Sequence, residues 1–236
     1  MAVSYHAGHA DSYGNGRKSD ALKRLQAQIG YTFTDRKLLE RAMTHSSYSN
    51  ESGAPNHHLL CNERLEFLGD SVLSIIVSEY LFRTYPQDAE GDLTCMRKDV
   101  VRAEALARYA RKIHLGDCLL LGVGEDRGGG RDKENILADA FESLLAAMYL
   151  DAGESGKTIV SDFLLPMVKE DLEDLENHGT DGDYKTPLQQ FIQQNEGDVL
   201  EYCLVHEEGP DHHKMFEVEA RLYSGSVAPS VIVLLC

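Results

Sequence analysis

Residues 62–71 read NERLEFLGDS, and three of their carboxylates, Glu63, Glu66 and Asp70, recur at i, i+3 and i+7. That spacing places them along one stripe of a helix, since residues three, four and seven apart share a face. The stretch lies within a longer pattern. Across residues 59–85 the apolar positions Leu65, Leu68, Val72, Ile75, Ile76 and Leu81 recur at helical intervals, until Pro86 ends the run. Like charges at i, i+4 destabilise a helix by about 0.2–0.5 kcal/mol per pair, so an acidic stripe beside an apolar face calls for open water or a compensating cation.

A second acidic pair, Asp139 and Glu142, is spaced i, i+3 within a predicted helix over residues 134–150 that carries Leu137, Phe141, Leu144, Leu145 and Met148 on one side. An ordinary solvated face is the competing reading for either pair taken alone. Against it stand the neighbours: Glu66 is wedged between Leu65 and Phe67, and Asp139 between Ala138 and Ala140, with no Lys or Arg partner adjacent. If the two helices pack, four carboxylates converge on one hollow. Ligands made only of oxygen suit Mg²⁺ or Mn²⁺ rather than zinc.

Working outward, residues 20–29 and 35–43 read as short helices, the second opened by Thr34 or Asp35 as N-cap and followed by a polar loop. One helix is predicted over residues 92–113, a glycine-rich loop over 116–130 and a further helix over 162–175. Residues 1–19, polar and without an apolar centre, read as a disordered leader. The Gly- and Asp-rich residues 178–182 read as a linker. Beyond it the pattern changes. Thr186 and Pro187 open a short helix through Gln194, and residues 201–206 and 215–223 alternate as strands across a Gly209-Pro210 turn. The fold class is therefore mainly α: an all-helical domain over residues 20–177, then a small α+β domain over 183–236.

Composition narrows the function. The chain of 236 residues is 42% hydrophobic and 26% charged, and its longest apolar runs are too short to cross a bilayer, so a cytoplasmic protein without membrane attachment is expected. Cys61, Cys95, Cys118, Cys203 and Cys236 are scattered and form no C-x-x-C pair, which argues against a disulfide framework or a zinc site. The pairs His57-His58 and His212-His213 lack the i, i+4 spacing that converges on one ion, and Gly122 to Gly130 lacks the spacing of a nucleotide loop. His45 and Ser47 could imitate a base and nucleophile, but a turn is the simpler reading. The net charge of −16 would repel phosphates unless acidic side chains gather around a cation.

NERLEFLGDS resembles the signature of the ribonuclease III family, and DAFESLLAAMYLD, residues 139–151, resembles its second signature segment, at matching separation. The resemblance covers residues 21–175 as the nuclease domain, and residues 183–223 resemble the first part of that family's double-stranded-RNA-binding domain. It implies that Glu66, Asp70, Asp139 and Glu142 are metal ligands, with Asp70 and Glu142 catalytic and Glu63 and Glu90 in support. It further implies an endonuclease of double-stranded RNA that works as a homodimer. Hydrolysis by a water that Mg²⁺ activates, without a covalent protein intermediate, would leave 5′ phosphates, 3′ hydroxyls and short 3′ overhangs on processed precursors such as ribosomal RNA. A non-cleaving double-stranded-RNA-binding dimer is the alternative.

In the C-terminal module, KTPLQQF resembles the first helix of the RNA-binding domain, which implies minor-groove contacts by Gln189, Gln193 and His212. The family's domain continues with a third strand and a lysine-bearing helix, whereas here residues 224–236 are an apolar tail. The expectation is a truncated domain lacking its last helix. From residue 183 onward there are nine Asp or Glu against three Lys or Arg, a net −6 that predicts weak phosphate binding.

Overall fold

The computed structural model describes residues 12–51, 53, 56–178, 198–208, 215–224 and 230–235, with side chains described for residues 19–175 of these. In chain order the helices are α1 (Ser12–Ile29), α2 (Arg36–Ala42), α3 (Ser46–Glu51), α4 (Glu63–Thr84), α5 (Glu90–Val101), α6 (Ala103–Lys112), α7 (Val123–Arg127), α8 (Glu134–Asp151) and α9 (Gly156–His178). Strands β1 (Asp198–Glu208), β2 (Met215–Ser224) and β3 (Ser230–Leu235) follow. The chain divides into two compact units, Met1–Asp174 and Leu175–Cys236, with the boundary inside α9.

The helical unit is organised around α8. Ile136, Leu137, Ala138, Ala140, Phe141 and every residue from Ser143 to Met148 are buried, so this helix is enclosed on nearly all sides. The expected one-sided stripe is corrected by that finding, because alanines fill the remaining positions and let neighbouring helices approach from several directions. Its main partners are α4 and α6. Helix α4 buries Leu65, Gly69, Val72, Leu73, Ile76, Val77 and Leu81, while α6 buries Ala105, Leu106, Ala107, Tyr109 and Ala110. Ile75, expected in the core, is exposed.

The α4–α8 contact is unusually close. A Cβ added at Gly69 would fall inside the Glu142 carbonyl, and it would stand 3.0 Å from the Glu142 Cα. Glycine in a helix interior costs about 1 kcal/mol relative to alanine, and here it admits the neighbouring backbone. At the start of α4, the Asn62 carbonyl accepts from the Leu65 and Glu66 amides and from the Ser143 hydroxyl at 3.2 Å, which pins the register of the two helices.

Other elements depart from the sequence reading. The helix expected over 92–113 is two helices broken at Arg102, whose φ of −65° and ψ of 157° are extended. No glycine or proline marks the break. The split lets α6 bury its own face against α8. The predicted glycine loop contains the short helix α7, held through Val123 N–H donating to Glu51 Oε2 at 3.1 Å. The polar loop after α2 includes α3, and α1 begins at Ser12, inside the stretch expected to be leader. Asp35 caps α2, accepting from the Lys37 amide at 2.9 Å.

In the second unit β1, β2 and β3 form an antiparallel sheet in that order. Ser224 pairs with Asp198 and Met215 with Glu208, and the register shifts between Leu204 and His206. The expectation that the apolar tail replaces the third strand is corrected: Leu222 pairs with Ser230 and Glu217 with Leu235. A run of Val, Ile, Val and Leu has high strand propensity, and pairing satisfies the free edge of β2. The helix expected over 187–194 lies outside the described residues.

Asp151, at the end of α8, gathers the chain between α1 and α2. Its Oδ2 accepts from the Tyr31 hydroxyl at 2.7 Å and the Thr34 amide at 2.8 Å, and its Oδ1 accepts from the Asp35 amide at 2.7 Å. Partial burial acts to raise this carboxyl, but the bonds from Asp35, Tyr31 and Thr34 outweigh it and hold it below the usual range. Tyr31 is pushed up to about 12, first by burial and then by Asp151.

Two substitutions test this arrangement by urea denaturation. Gly69→Ala is expected to lose about 3 kcal/mol, at the upper end of ordinary overpacking, because backbone rather than a flexible side chain blocks the methyl. Asp151→Ala is expected to lose about 1–3 kcal/mol, the range for charged hydrogen bonds.

Candidate functional site

The α4–α8 seam brings together the acidic residues that the sequence singles out. Glu66 is half-buried and Asp70 exposed on α4, one helical turn apart; Asp139 and Glu142 are half-buried on α8. Their carboxyls act on one another across the seam. Glu66 is raised first by burial, then by the charges of Asp139 and Glu63. Glu142 is pushed up to about 8, first by burial and then by Asp70, Glu66 and Asp139. Asp139 is raised by burial, with His45 opposing.

This donor set fits a hard divalent cation. It consists of oxygen donors alone, and it concentrates negative charge that a cation would relieve. Among the described residues no three His, Cys, Asp or Glu side chains close around a single point as a metal cage does.

Of the supporting residues, Glu63 is exposed on the same helix and adds its charge to Glu66. Glu90 opens α5, where it accepts from the Thr94 hydroxyl at 2.9 Å. It therefore stands on α5 and not on either of the two helices that carry the four carboxylates. Gln189, Gln193 and His212 lie outside the described residues.

Sequence reasoning missed Gly69, whose only signal was a glycine inside a long helical pattern. It also left out the bonding of the His45–Ser47 turn to Gly122. His45 and Ser47 close the turn that begins α3: Nδ1 and Ser47 Oγ are 2.8 Å apart, and Ser47 Oγ accepts from the Gly122 amide at 2.9 Å. A cavity of about 750 Å³ is lined by Arg24, Arg36, Met43, Cys118 and Arg131 among others, and contains none of the four carboxylates. The Arg131 guanidinium there is engaged with the Gly116 and Leu119 carbonyls and with Asp126. The open acidic seam, rather than this cavity, holds groups suited to chemistry on a large substrate.

An enclosed helix carrying carboxylates against a second acidic helix, joined to an antiparallel sheet, defines a helical domain with a candidate cation site and a separate small module. Residues 35–168 match the Ribonuclease-III-like family, and residues 184–230 match the double-stranded RNA binding motif. Ribonuclease 3 of Pelotomaculum thermopropionicum is 47% identical over 207 residues, covering 87% of this chain and 83% of that protein. Ribonuclease 3 of Streptococcus mutans is 45% identical, covering 83% and 82% respectively. The nuclease domain of ribonuclease III from Campylobacter jejuni, described for flexibility in the region involved in its dimer formation, superposes with a TM-score of 0.57 at 37% identity. That match covers 64% of this chain and 97% of the other. The chain belongs to the ribonuclease III family.

The raised Glu142 carboxyl has a measurable consequence. It binds its proton more tightly in the fold than in the unfolded chain, so ionising it removes stability as pH rises from its ordinary value near 4.5 towards 8. In metal-free buffer the melting temperature of Glu142→Gln is expected to gain on that of the unsubstituted protein between pH 5 and 8. A constant difference across that interval would show that the seam does not destabilise the ionised group.

Proposed function

We propose that this protein is a double-stranded-RNA endoribonuclease whose site is the α4–α8 seam. Glu66, Asp70, Asp139 and Glu142 would hold Mg²⁺, or Mn²⁺ in its place, with Asp70 and Glu142 nearest the chemistry. The observation that carries this reading is the close α4–α8 contact at Gly69, which sets Glu66 and Asp70 of one helix against Asp139 and Glu142 of the other; the raised Glu66 and Glu142 carboxyls accord with it. When bound there, the cation supplies activation of the attacking water and charge neutralisation at the leaving 3′ oxygen.

The chain's own groups do the rest. Glu66 and Asp70, one turn apart on α4, present carboxylates from one side, and Asp139 and Glu142 present them from the other. The Gly69 contact fixes the separation of the two helices. In this reading the attacking group is water, so no covalent protein intermediate is formed. The products are 5′-phosphate and 3′-hydroxyl ends with short 3′ overhangs.

A homodimer fits the exposed face of α4. Phe67, Ile75 and Phe82 are 79%, 56% and 71% exposed, and at 3.6 residues per turn they fall within about 80° of one another. Large apolar side chains aligned in this way mark a protein contact. The stripe runs along the helix that bears Glu66 and Asp70, so pairing there would bring two seams into one assembly, one for each RNA strand. Among the described residues no helix is long and apolar enough to cross a membrane.

Cleavage of a long duplex RNA in low salt with Mg²⁺ tests the reading. Glu142→Ala is expected to lose roughly 10³-fold in rate, equivalent to about 4 kcal/mol of transition-state stabilisation. Absence of cutting by the unsubstituted protein would remove the enzyme assignment, and equal cutting by the variant would remove the site assignment.

A further inference from the structure

Strand β3 closes the sheet order β1–β2–β3, so among the described residues one of its two edges has no strand partner. In an antiparallel ladder a residue turns its N–H and C=O to the same neighbour, and successive residues alternate in this. Half of β3 therefore bonds to β2, and the other half presents backbone donors and acceptors at the far edge. Such an edge is a template for another strand unless the sequence guards it.

The two outer strands differ in that respect. β1 carries Asp198, Glu201, Glu207 and Glu208 with no Lys or Arg, and its register shifts between Leu204 and His206. Charges and bulges are means by which a strand is kept from pairing at its edge. β3 reads SVIVLL, without a charge, a proline or a glycine. It pairs with β2 in unbroken register from Ser230 opposite Leu222 to Leu235 opposite Glu217. Valine and isoleucine also rank among the strongest strand formers. One outer strand is guarded by its sequence and the other is not.

Charge decides what can approach the unguarded edge. With a net −16, a second copy of the chain is repelled wherever acidic residues would meet their counterparts. At β3 they do not meet. Two β3 strands side by side would hold the two β2 strands three strand spacings apart, about 14 Å, which exceeds the Debye length of about 8 Å at physiological salt. Glu217 and Glu219, the acidic residues of β2, thus stay outside the range of their counterparts. A second copy also brings an edge of the same length and the same lack of charge, whereas an uncharged strand offers a foreign protein nothing by which to select it.

The faces of the sheet set the register. Pairing places Ile232 and Leu234 on the face of Ala220 and Val218, together with Tyr202 and Leu204 of β1. Val231, Val233 and Leu235 share the other face with Arg221, Glu219 and Glu217. A two-fold axis perpendicular to the sheet keeps these faces continuous only where it passes through a residue, because a slip of one residue exchanges them. Placed at Val233, it sets that residue opposite its own counterpart, Ile232 opposite Leu234 and Val231 opposite Leu235. Every pair is then apolar.

We propose that β3 is a self-association edge: two copies of this chain join β3 to β3, antiparallel about a two-fold axis at Val233, and merge two three-stranded sheets into one. Main-chain hydrogen bonds hold such a contact, as in other cases of strand addition. It is separate from pairing along α4 and independent of the cation reading of the seam.

Amide hydrogen exchange of the full chain, read by mass spectrometry from about 1 to about 100 μM protein, observes this edge directly, since association follows mass action. Exchange within residues 230–235 is expected to slow roughly three- to fivefold over that range. Val233→Lys sets an ammonium across from Glu219 within each sheet but two like charges opposite one another in the pair. The concentration dependence is expected to vanish in that variant and to persist in Val233→Thr, which stays β-branched and uncharged. Exchange in the unsubstituted chain that does not vary with concentration overturns the proposal, as does an equal dependence in Val233→Lys. If Val233→Lys fails to fold, Val231→Glu, set across from Arg221, charges the same edge and gives the same reading. Phe67→Asp, which obstructs pairing along α4, is expected to leave the dependence in place. Its loss there would assign the protection to the α4 contact and would likewise overturn the proposal.

Discussion

Helix α4 meets α8 where Gly69 leaves the space that a side chain would fill, and the Glu142 carbonyl backbone occupies it. That contact sets how near two rows of carboxylates can come. Without it, Glu66 and Asp70 would stand on one solvated helix and Asp139 and Glu142 on another, each stripe costing a few tenths of a kcal/mol and doing nothing together. With it, each row lies in the field of the other, and burial strengthens the effect by excluding water. The glycine surrenders helix propensity locally, and the approach it permits creates the concentration of charge.

The neighbourhood of the seam is correspondingly rigid. Ser143 reaches the carbonyl of Asn62 from α8, Asn62 reaches Thr44, and residues 43 and 45 bond to residue 120. Behind them lies a core of Phe141, Leu144 and Tyr109, closed on the far side by the buried Asp171, which accepts from the Tyr109 hydroxyl at 2.8 Å and pairs with Arg108. Carboxylates that repel one another need such support, since a pliable frame would relax by letting them separate. The destabilising charge is thus confined to the place where a cation can offset it, which is a common arrangement at functional sites.

The net charge of −16 gains meaning from this placement. Part of it is distributed in exposed pairs such as Arg36 with Glu40 and Arg131 with Asp126, which add little to stability. Part is gathered at the seam, where a divalent ion would invert its effect on a phosphate. A total charge therefore says little about nucleic-acid binding in a protein whose acidic groups are partly gathered at one seam.

Periodicity along the chain is sufficient to locate α4 and α8, to mark the strands β1 and β2, and to place Glu63, Glu66, Asp70, Asp139 and Glu142 on two helices, because hydrophobic spacing and residue chemistry are local properties; the resemblance, not the spacing, selects four of them. Glu66 and Asp139 stood out through their apolar neighbours alone. The break at Arg102 was hidden because neither glycine nor proline marks it, and the exposure of Ile75 because periodicity cannot tell which apolar residues a neighbouring helix will cover. β3 was missed because its partner edge exists only once β2 has folded. The tertiary structure alone decided that Gly69 admits a backbone and that the charges of the two acidic pairs oppose one another. It also decided that Ser143, more than eighty positions away in sequence, donates its hydroxyl to the Asn62 carbonyl. Those relations depend on distances between segments remote along the chain, which packing sets and residue order does not display.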